Sequence, residues 1–428
     1  MTDDLMKSSG SRDAGNSTHA DEQRLYPKVR FRGFDEPWKK VKLGQIADVR
    51  DGTHESPKYV SQNGYPLITS KNLENGTINF DDISYISKKD YEEINKRSLV
   101  EKNDILFGMI GTIGNVAIVK KSGFAIKNVA LIKSNSEIPS INLIQIIQSD
   151  IFKKYTNRLN SGNSQKFISL GDIRKFDFKM ASKSENMLIS KLFKKVDTLL
   201  SLQQRKLELE NQLKQFNLQN LFSDEQRLYP KVRFRGFDEP WKKVKLGRNV
   251  KRIRRKNKNL ETNIPLTISA QFGLVDQRDF FGRVVASENL ANYILLKRGE
   301  FAYNKSYSKE APYGSIKRLE KYNEGALSTL YIAFTPENIN SDFLKAFFDT
   351  TKWYSHIVQV STEGARNHGL LNISPQDFFE MSITIPKSDE QNNISRIYNL
   401  MNSLLSLQQQ DINTTQQLKQ FLLQNLFI

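Results

Sequence analysis

The sequence predicts a mixed α/β (α+β) chain, with two globular domains joined by two long helices that pair as an antiparallel coiled coil with internal twofold repetition. Three observations predict it: a verbatim internal duplication, a pair of proline-free blocks with heptad patterning, and two regions of short apolar runs between polar turns. The expected division is a flexible polar tail over 1–20, a first domain over 21–185 and a first long helix over 186–223. A second domain over 224–387 and a second long helix over 388–428 complete it.

The duplication comes first in the argument, because periodicity at this scale sets the architecture. The segment DEQRLYPKVRFRGFDEPWKKVKLG stands at Asp21–Gly44 and again, unchanged, at Asp224–Gly247. Farther along, SLQQRKLELENQLKQFNLQNLF from Ser201 is matched by SLQQQDINTTQQLKQFLLQNLF from Ser406. Each half therefore runs as opening block, variable region and helical block.

In the first helical block, steps of four and three from Leu188 give Leu188, Leu192, Lys195, Leu199, Leu202, Lys206, Leu209, Leu213, Phe216 and Asn220. Such a row is one apolar stripe on a long helix. The second block in the same register gives Ile397, Leu400, Leu404, Leu407, Leu418 and Phe421, interrupted by Asp411 and Thr414. A helix of some 35 residues reaches about 50 Å and needs a partner for its stripe, for which its own copy is the nearest candidate. The polar interruptions Lys206 and Asp411 are expected to set helix register.

The regions near 45–185 and 248–387 barely resemble each other. Strands are expected at Pro66–Thr69, Asp104–Met109, Asn115–Val119 and Ala125–Ile132, then at Pro265–Ser269, Ala326–Phe334 and Met381–Ile385. Two like scaffolds carrying unlike heads suit a reader of two different half-sites on a duplex, with the helices as the ruler between them.

Composition narrows the partner. Lys and Arg number 64 against 47 Asp and Glu, a net charge of +17, which attracts polyanions and above all nucleic acid. Cysteine is absent, which removes disulfides and thiolate metal sites and fits a cytoplasmic protein. No apolar run approaches the roughly 20 residues of a membrane span, and the first 20 residues lack a signal-peptide core.

With these residues in hand, the chain resembles the specificity subunits of type I restriction–modification systems. The resemblance covers the chain after its tail. It rests on VRFRGFDEPWKKVKLG before each variable region, DGTHESPKY at Asp51–Tyr59, GTIGNVAIV at Gly111–Val119 and the duplicated leucine-rich helices. It implies that each variable region is a target-recognition domain reading half of a bipartite double-stranded DNA target, and that the helices set the unread gap. It further implies docking of two methyltransferase subunits that use S-adenosylmethionine, and of motor-nuclease subunits that use ATP and magnesium. The chain itself is then non-catalytic and holds no cofactor or metal.

Missing motifs agree with that division of labour. There is no GxxxxGK[ST] phosphate loop and no Asn/Asp-Pro-Pro-aromatic run. GMIGTIG at Gly108–Gly114 lies between two expected strands and reads as a hairpin turn. The histidines, at 19, 54, 356 and 368, lack metal-ligand spacing. A stand-alone two-headed DNA-binding regulator is the alternative reading, and an RNA-binding scaffold a further one. The first would bring an effector segment and a helix-turn-helix, the second a patch of stacking aromatics; neither stands out.

Candidate DNA contacts follow from side-chain chemistry. Arg248–Lys258 holds seven basic residues and no acid, with Arg252, Arg254 and Arg255 suited to phosphate. Base reading needs paired donors and acceptors on loops. Thr53 and His54, then Ser70, Lys71 and Asn72, then Ser161, Asn163, Ser164, Gln165 and Lys166 offer these in the first head. In the second head Asn304, Lys305 and Tyr307 do so, with Arg366, Asn367 and His368. The SGNSQK and TEGARNH loops hold equivalent places before the last strand of each head. His54 has a second role open to it, in a turn with Asp51 and Gly52. Trp38 and Trp241 are expected to dock the opening blocks on the long helices, with a partner surface as the alternative. Gln203, Gln204, Gln215 and Gln219 are candidates for an outward face that meets partners.

Overall fold

The computed structural model describes residues 6–8, 25–74, 76–111, 113–159, 167–224, 226–269, 272–282, 289–309, 311–361 and 371–428. The chain forms two compact units, one of 1–204 with 410–428, the other of 205–409. The long helices are Lys183–Leu221 and Ser388–Asn425, and each runs unbroken from one unit into the other.

In the first unit a four-stranded antiparallel sheet has the order Val116–Ile118, Ile105–Gly108, Val129–Ile132, Val49–Asp51. A smaller sheet orders Ala125–Ile126, Tyr65–Ile68 and Ser84–Ile86, the first pair parallel. Successive strand residues face opposite sides. Leu106 and Leu131 therefore enter a core with Val119 and Ile126, while Ile105, Phe107 and Ile132 meet helices Ser140–Gln148 and Asp150–Leu159. Both faces are covered, so the strands read as apolar runs without alternation.

The second unit repeats the design with other residues. Its main sheet orders Val250–Arg252, Ile332–Pro336, Phe301–Asn304 and Ser315–Arg318, and a second sheet again pairs two strands in parallel, Pro265–Ser269 with Glu324–Leu327. Phe301, Tyr303 and Phe334 face one core while Ala302 and Ala333 face another.

Two expected strands prove to be four. Ala125–Ile132 breaks at Asn128, with φ +56°, and Ala326–Phe334 breaks after Leu327, because the chain crosses from one sheet to the other at both places. The tail expectation also needs correction, since Met6–Ser8 pairs antiparallel with Val29–Phe31. An edge strand accepts any backbone, so a polar composition does not prevent the pairing.

Each opening block closes its head at the base. Lys39–Lys42 pairs with Asp177–Met180, and Lys242–Lys245 with Ser382–Ile385. The same three side chains then lock block to helix in both units. Arg30 donates through Nε and Nη2 to the two carboxylate oxygens of Glu185, at 2.8 and 2.9 Å, and Trp38 Nε1 adds a third bond at 3.1 Å. Arg233, Trp241 and Glu390 repeat this at 2.8, 2.8 and 3.2 Å. Both glutamates are buried in the first turn of a long helix, where the helix dipole favours an anion. The tryptophans dock on the helices, as their sequence context predicts.

The helical segments run antiparallel within each unit. In the first, Phe193 stacks on Phe427 at 5.7 Å and Lys419 reaches Asp197 at 2.8 Å. In the second, Lys214 donates to Asn402 at 2.8 Å and Asn217 approaches Met401. Lys214 and Lys419 are the same position of the repeated LKQF sequence, and each bonds a partner at the position Asp197 shares with Asn402.

The predicted stripe, by contrast, is displaced by one residue. The buried or half-buried row on the first helix is Ile189, Phe193, Val196, Leu200, Gln203, Leu207, Glu210, Lys214 and Asn217. On the second it is Tyr398, Met401, Leu405, Gln408, Ile412 and Thr415. Leu199, Leu202, Leu209, Leu213, Phe216, Leu400, Leu404, Leu407, Leu418 and Phe421 are exposed, Leu202 by 63%. Lys206 and Asp411 lie on the outer side, so they do not set register from within; Gln203, expected outward, turns inward.

Glu390→Ala is expected to lower the unfolding free energy by about 3 kcal/mol, because it strands the Arg233 guanidinium without its anion. Urea titration followed by circular dichroism measures this.

Candidate functional site

In the first head the candidate residues gather at one end of the main sheet, around Asn128. Gly52 N donates to Val129 O, Thr53 N to Ile126 O, and Asn128 N to Thr53 O. A side chain at position 52 would place its Cβ 2.2 Å from the Ile126 carbonyl oxygen, so glycine is required there. The Asp51–His54 turn thus packs directly against the crossover between the two sheets. His54 spends both ring nitrogens on this turn, Nδ1 with Asn128 Oδ1 at 2.8 Å and Nε2 with Asp51 Oδ2 at 3.0 Å. The turn-stabilising role open to His54 in the sequence is the one the structure displays.

Ser70 and Asn72, expected among the base readers, are buried. Ser70 donates to Asn128 O. Asn72 Oδ1 accepts from Thr69 N and Oγ1 at 3.0 and 2.9 Å, and Nδ2 donates to Asp82 O at 3.0 Å. Their hydrogen-bonding capacity shapes a short 3-10 turn, Ser70–Asn72, and leaves little for a ligand. Lys71 on the same turn is exposed and pairs with Asp82 at 3.0 Å. Thr53 is half-buried, its hydroxyl accepting from Glu55 N.

Ser161, Asn163, Ser164, Gln165 and Lys166 lie outside the described residues. The chain re-enters at Phe167, which bridges Ile110, and Ile168 N donates to Met109 O. Met109 N in turn donates to Asn128 O, so the exit from that segment adjoins the same sheet end as Thr53. Ile110 and Phe167 are both exposed there. The reading of GMIGTIG as a turn agrees with the pairing of Ile105–Gly108 and Val116–Ile118 on either side.

The second head repeats the arrangement. Asn304–Ser308 leaves the strand Phe301–Asn304, and Leu371 N donates to Lys305 O where the chain returns from 362–370. Lys305 Nζ also donates to Ile373 O at 3.4 Å. Arg366, Asn367 and His368 lie outside the described residues. Asn304 Oδ1 accepts from Ser306 N, a local turn bond, and Tyr307 stands 54% exposed. Phe167 with Ile168, and Leu371, thus re-enter the described chain at matching sheet ends.

Arg252, Arg254 and Arg255 line the edge strand of this sheet and its continuation. Arg255 is committed to Glu300 at 2.6 Å and to Leu295 O at 3.1 Å. Arg252 and Arg254 are exposed. Sequence reasoning missed Asn128 and Arg97; the signal for Asn128 was an asparagine between two strand-like runs, a residue tolerant of positive φ. Arg97 Nη2 donates to Gly52 O at 3.0 Å and pairs with Asp51 at 3.1 Å. Among the described residues no group of His, Asp and Glu is placed to hold a metal ion, and no helix is long and apolar enough to cross a membrane.

Fold and site together define a class: two heads of one topology, each presenting unlike loops at the same sheet end, on antiparallel helices. Residues 35–211 match the family model "Type I restriction modification DNA specificity domain". The specificity subunit of type I restriction enzyme MjaVIII from Methanocaldococcus jannaschii is 20% identical over 195 residues, 44% of this chain and 46% of that protein. The matched stretch thus spans about half the length of the curated relative. The S subunit of a type I system from M. genitalium aligns with a TM-score of 0.55 at 15% identity, over 93% of this chain and 98% of that one. A chain from a study of complex assembly and conformational transition in a type I restriction–modification system aligns at 0.52, with 17% identity, over 91% and 98%. Residues 35–211 are thus similar to the DNA specificity domain of type I restriction–modification systems, and the fold of the chain is that of an S subunit.

Asn72→Ala is expected to destabilise the first head by about 1–3 kcal/mol, the cost of orphaned buried partners. Tyr307→Ala is expected to leave the melting temperature unchanged while weakening binding to duplex DNA; thermal melts and a gel shift separate the two effects.

Proposed function

We propose that each head reads one half of an interrupted double-stranded DNA sequence, and that the long helices set the unread spacer between the halves. The observation that carries this reading is the equivalence of the heads: one topology, one sheet end, two different sets of loop side chains. Backbone positioning and base reading divide as they do in other DNA readers. Arg252 and Arg254 suit phosphate; Thr53, Lys71, Tyr307 and the residues of 161–166 and 366–368 suit the groove. The chain acts without catalysis of its own. Transfer of a methyl group from S-adenosylmethionine, and cleavage driven by ATP with magnesium, belong to partner subunits in this proposal.

The exposed leucines support the recruitment of those partners. A soluble protein rarely leaves a long apolar row in water unless another surface covers it. Leu199, Leu202, Leu209, Leu213 and Phe216 form such a row on one helix, and Leu400, Leu404, Leu407, Leu418 and Phe421 on the other. Two repeated rows suit two copies of one helical partner, the methyltransferase subunits, with the motor-nuclease subunits joining that assembly.

Single-molecule sequencing of host DNA, with and without this gene, tests the reading. The expected result is an interrupted adenine-methylated motif on both strands that vanishes on deletion; methylation independent of the gene would favour the DNA-binding regulator. Leu209→Glu with Leu213→Glu is expected to abolish co-purification of the modification subunit while leaving helix content intact.

A further inference from the structure

We propose that the second head is the electrostatic anchor of the pair, its Arg252 and Arg254 gripping the duplex backbone, while the matching edge of the first head is self-neutralised. This rests on the duplex-reading role proposed above and adds a division of labour between the heads.

Strand register makes the comparison possible. Val49 opens the edge strand of the first head opposite Ile132, and Val250 opens that of the second opposite Pro336. Ile132 and Pro336 each end the inner strand of their sheet, so Asp51, opposite Ala130, and Arg252, opposite Phe334, occupy one position of the common fold. At that position the first head carries an anion that its neighbours have already matched. Arg97 pairs with Asp51 Oδ1 at 3.1 Å and His54 Nε2 reaches Oδ2 at 3.0 Å. Arg50 beside it is held by Asp48 at 2.6 Å. The cations beside this edge, though exposed, are paired with local carboxylates.

The second head carries the opposite arrangement. Arg252 and Arg254 are two residues apart on an extended segment, and Ile253 between them is buried, so both guanidinium groups project to the outer face. Their neighbours are matched: Lys251 with Glu337 at 3.8 Å and Arg255 with Glu300 at 2.6 Å. Among the described residues no carboxylate pairs with Arg252 or Arg254. Burial first, and then the charge of Arg254, hold the Arg252 guanidinium below its usual range. Two like charges held close on a rigid edge cost energy unless an anion joins them. The pair is also placed for the duplex. Ile253 N donates to Ala333 O, and Ile332 faces Tyr303, which sets Arg254 level with the start of the Asn304–Ser308 loop, across one intervening strand.

Each phosphate neutralised by a cation contributes about −0.9 to the slope of log affinity against log salt. Binding of the full chain to a non-target duplex, followed by fluorescence anisotropy over a salt titration, reads that slope. Arg252→Gln with Arg254→Gln should reduce its magnitude by about 2 and weaken binding alike on every sequence, leaving the methylated motif unchanged. Arg254→Gln alone should give about half the drop, which covers the event that the double variant misfolds. Arg97→Gln in the first head should leave the slope in place. An unchanged slope in a double variant that melts like the wild type would overturn the inference, as would an equal loss from Arg97→Gln. Wild-type protein that binds no duplex at all would sink the DNA-reading proposal along with it; wild-type binding with unaltered variants sinks only the anchor.

Discussion

One buried carboxylate in the first turn of each long helix holds the architecture together. Glu185 and Glu390 each take three donors, two from an arginine fork and one from an indole. Charge-assisted bidentate bonds of this kind fix orientation as well as distance. They bind the opening block to the helix that follows its own head, across about 150 residues of intervening chain. Strand pairing at Lys39–Lys42 and Lys242–Lys245 completes the closure. A head sealed at its base can vary elsewhere, and the variable loops lie at the other end of the main sheet.

That separation of scaffold from loops explains how one fold carries two unlike sequences. Both faces of each main sheet are buried, so the requirement on strand residues is that they be apolar: Phe107, opposite Ala130, is answered in the other head by Phe301, opposite Phe334. The loop ends obey a different rule. Backbone bonds tie them to the sheet at a few points, such as Ile168 to Met109 and Leu371 to Lys305. Electrostatics vary the same way, with a matched aspartate at the end of one edge strand and, at the other, Arg252 and Arg254, which pair with no carboxylate among the described residues.

The second unit adds a polar junction between its head and both helices. Asp349 accepts from Tyr398 at 2.6 Å and from Lys317 at 3.0 Å, with Lys214 at 3.9 Å. Burial alone would raise its carboxyl; Lys317, Tyr398 and Lys214 outweigh burial and hold it below the usual range. The first unit meets the same need with Asp197 and Lys419, an exchange of position that preserves the charge pairing.

The duplication, both long helices and most strands were legible in the sequence, because each rests on local pattern: repeated letters, heptad spacing, apolar runs ended by turns. The seam was not. Apolar residues stand side by side at Leu188 and Ile189, Leu192 and Phe193, Leu199 and Leu200, so two registers are open over that stretch; beyond it the covered row holds Gln203, Glu210, Lys214 and Asn217, which apolar spacing does not select. Ser70, Asn72 and His54 have the chemistry of base readers, yet hydrogen bonds from distant chain turn them to structural work. The sequence by itself therefore determined what repeats, what is helical and that the chain is strongly basic. Only the tertiary structure decided which helix face is covered and which polar groups remain available, since both depend on neighbours brought together from far along the chain.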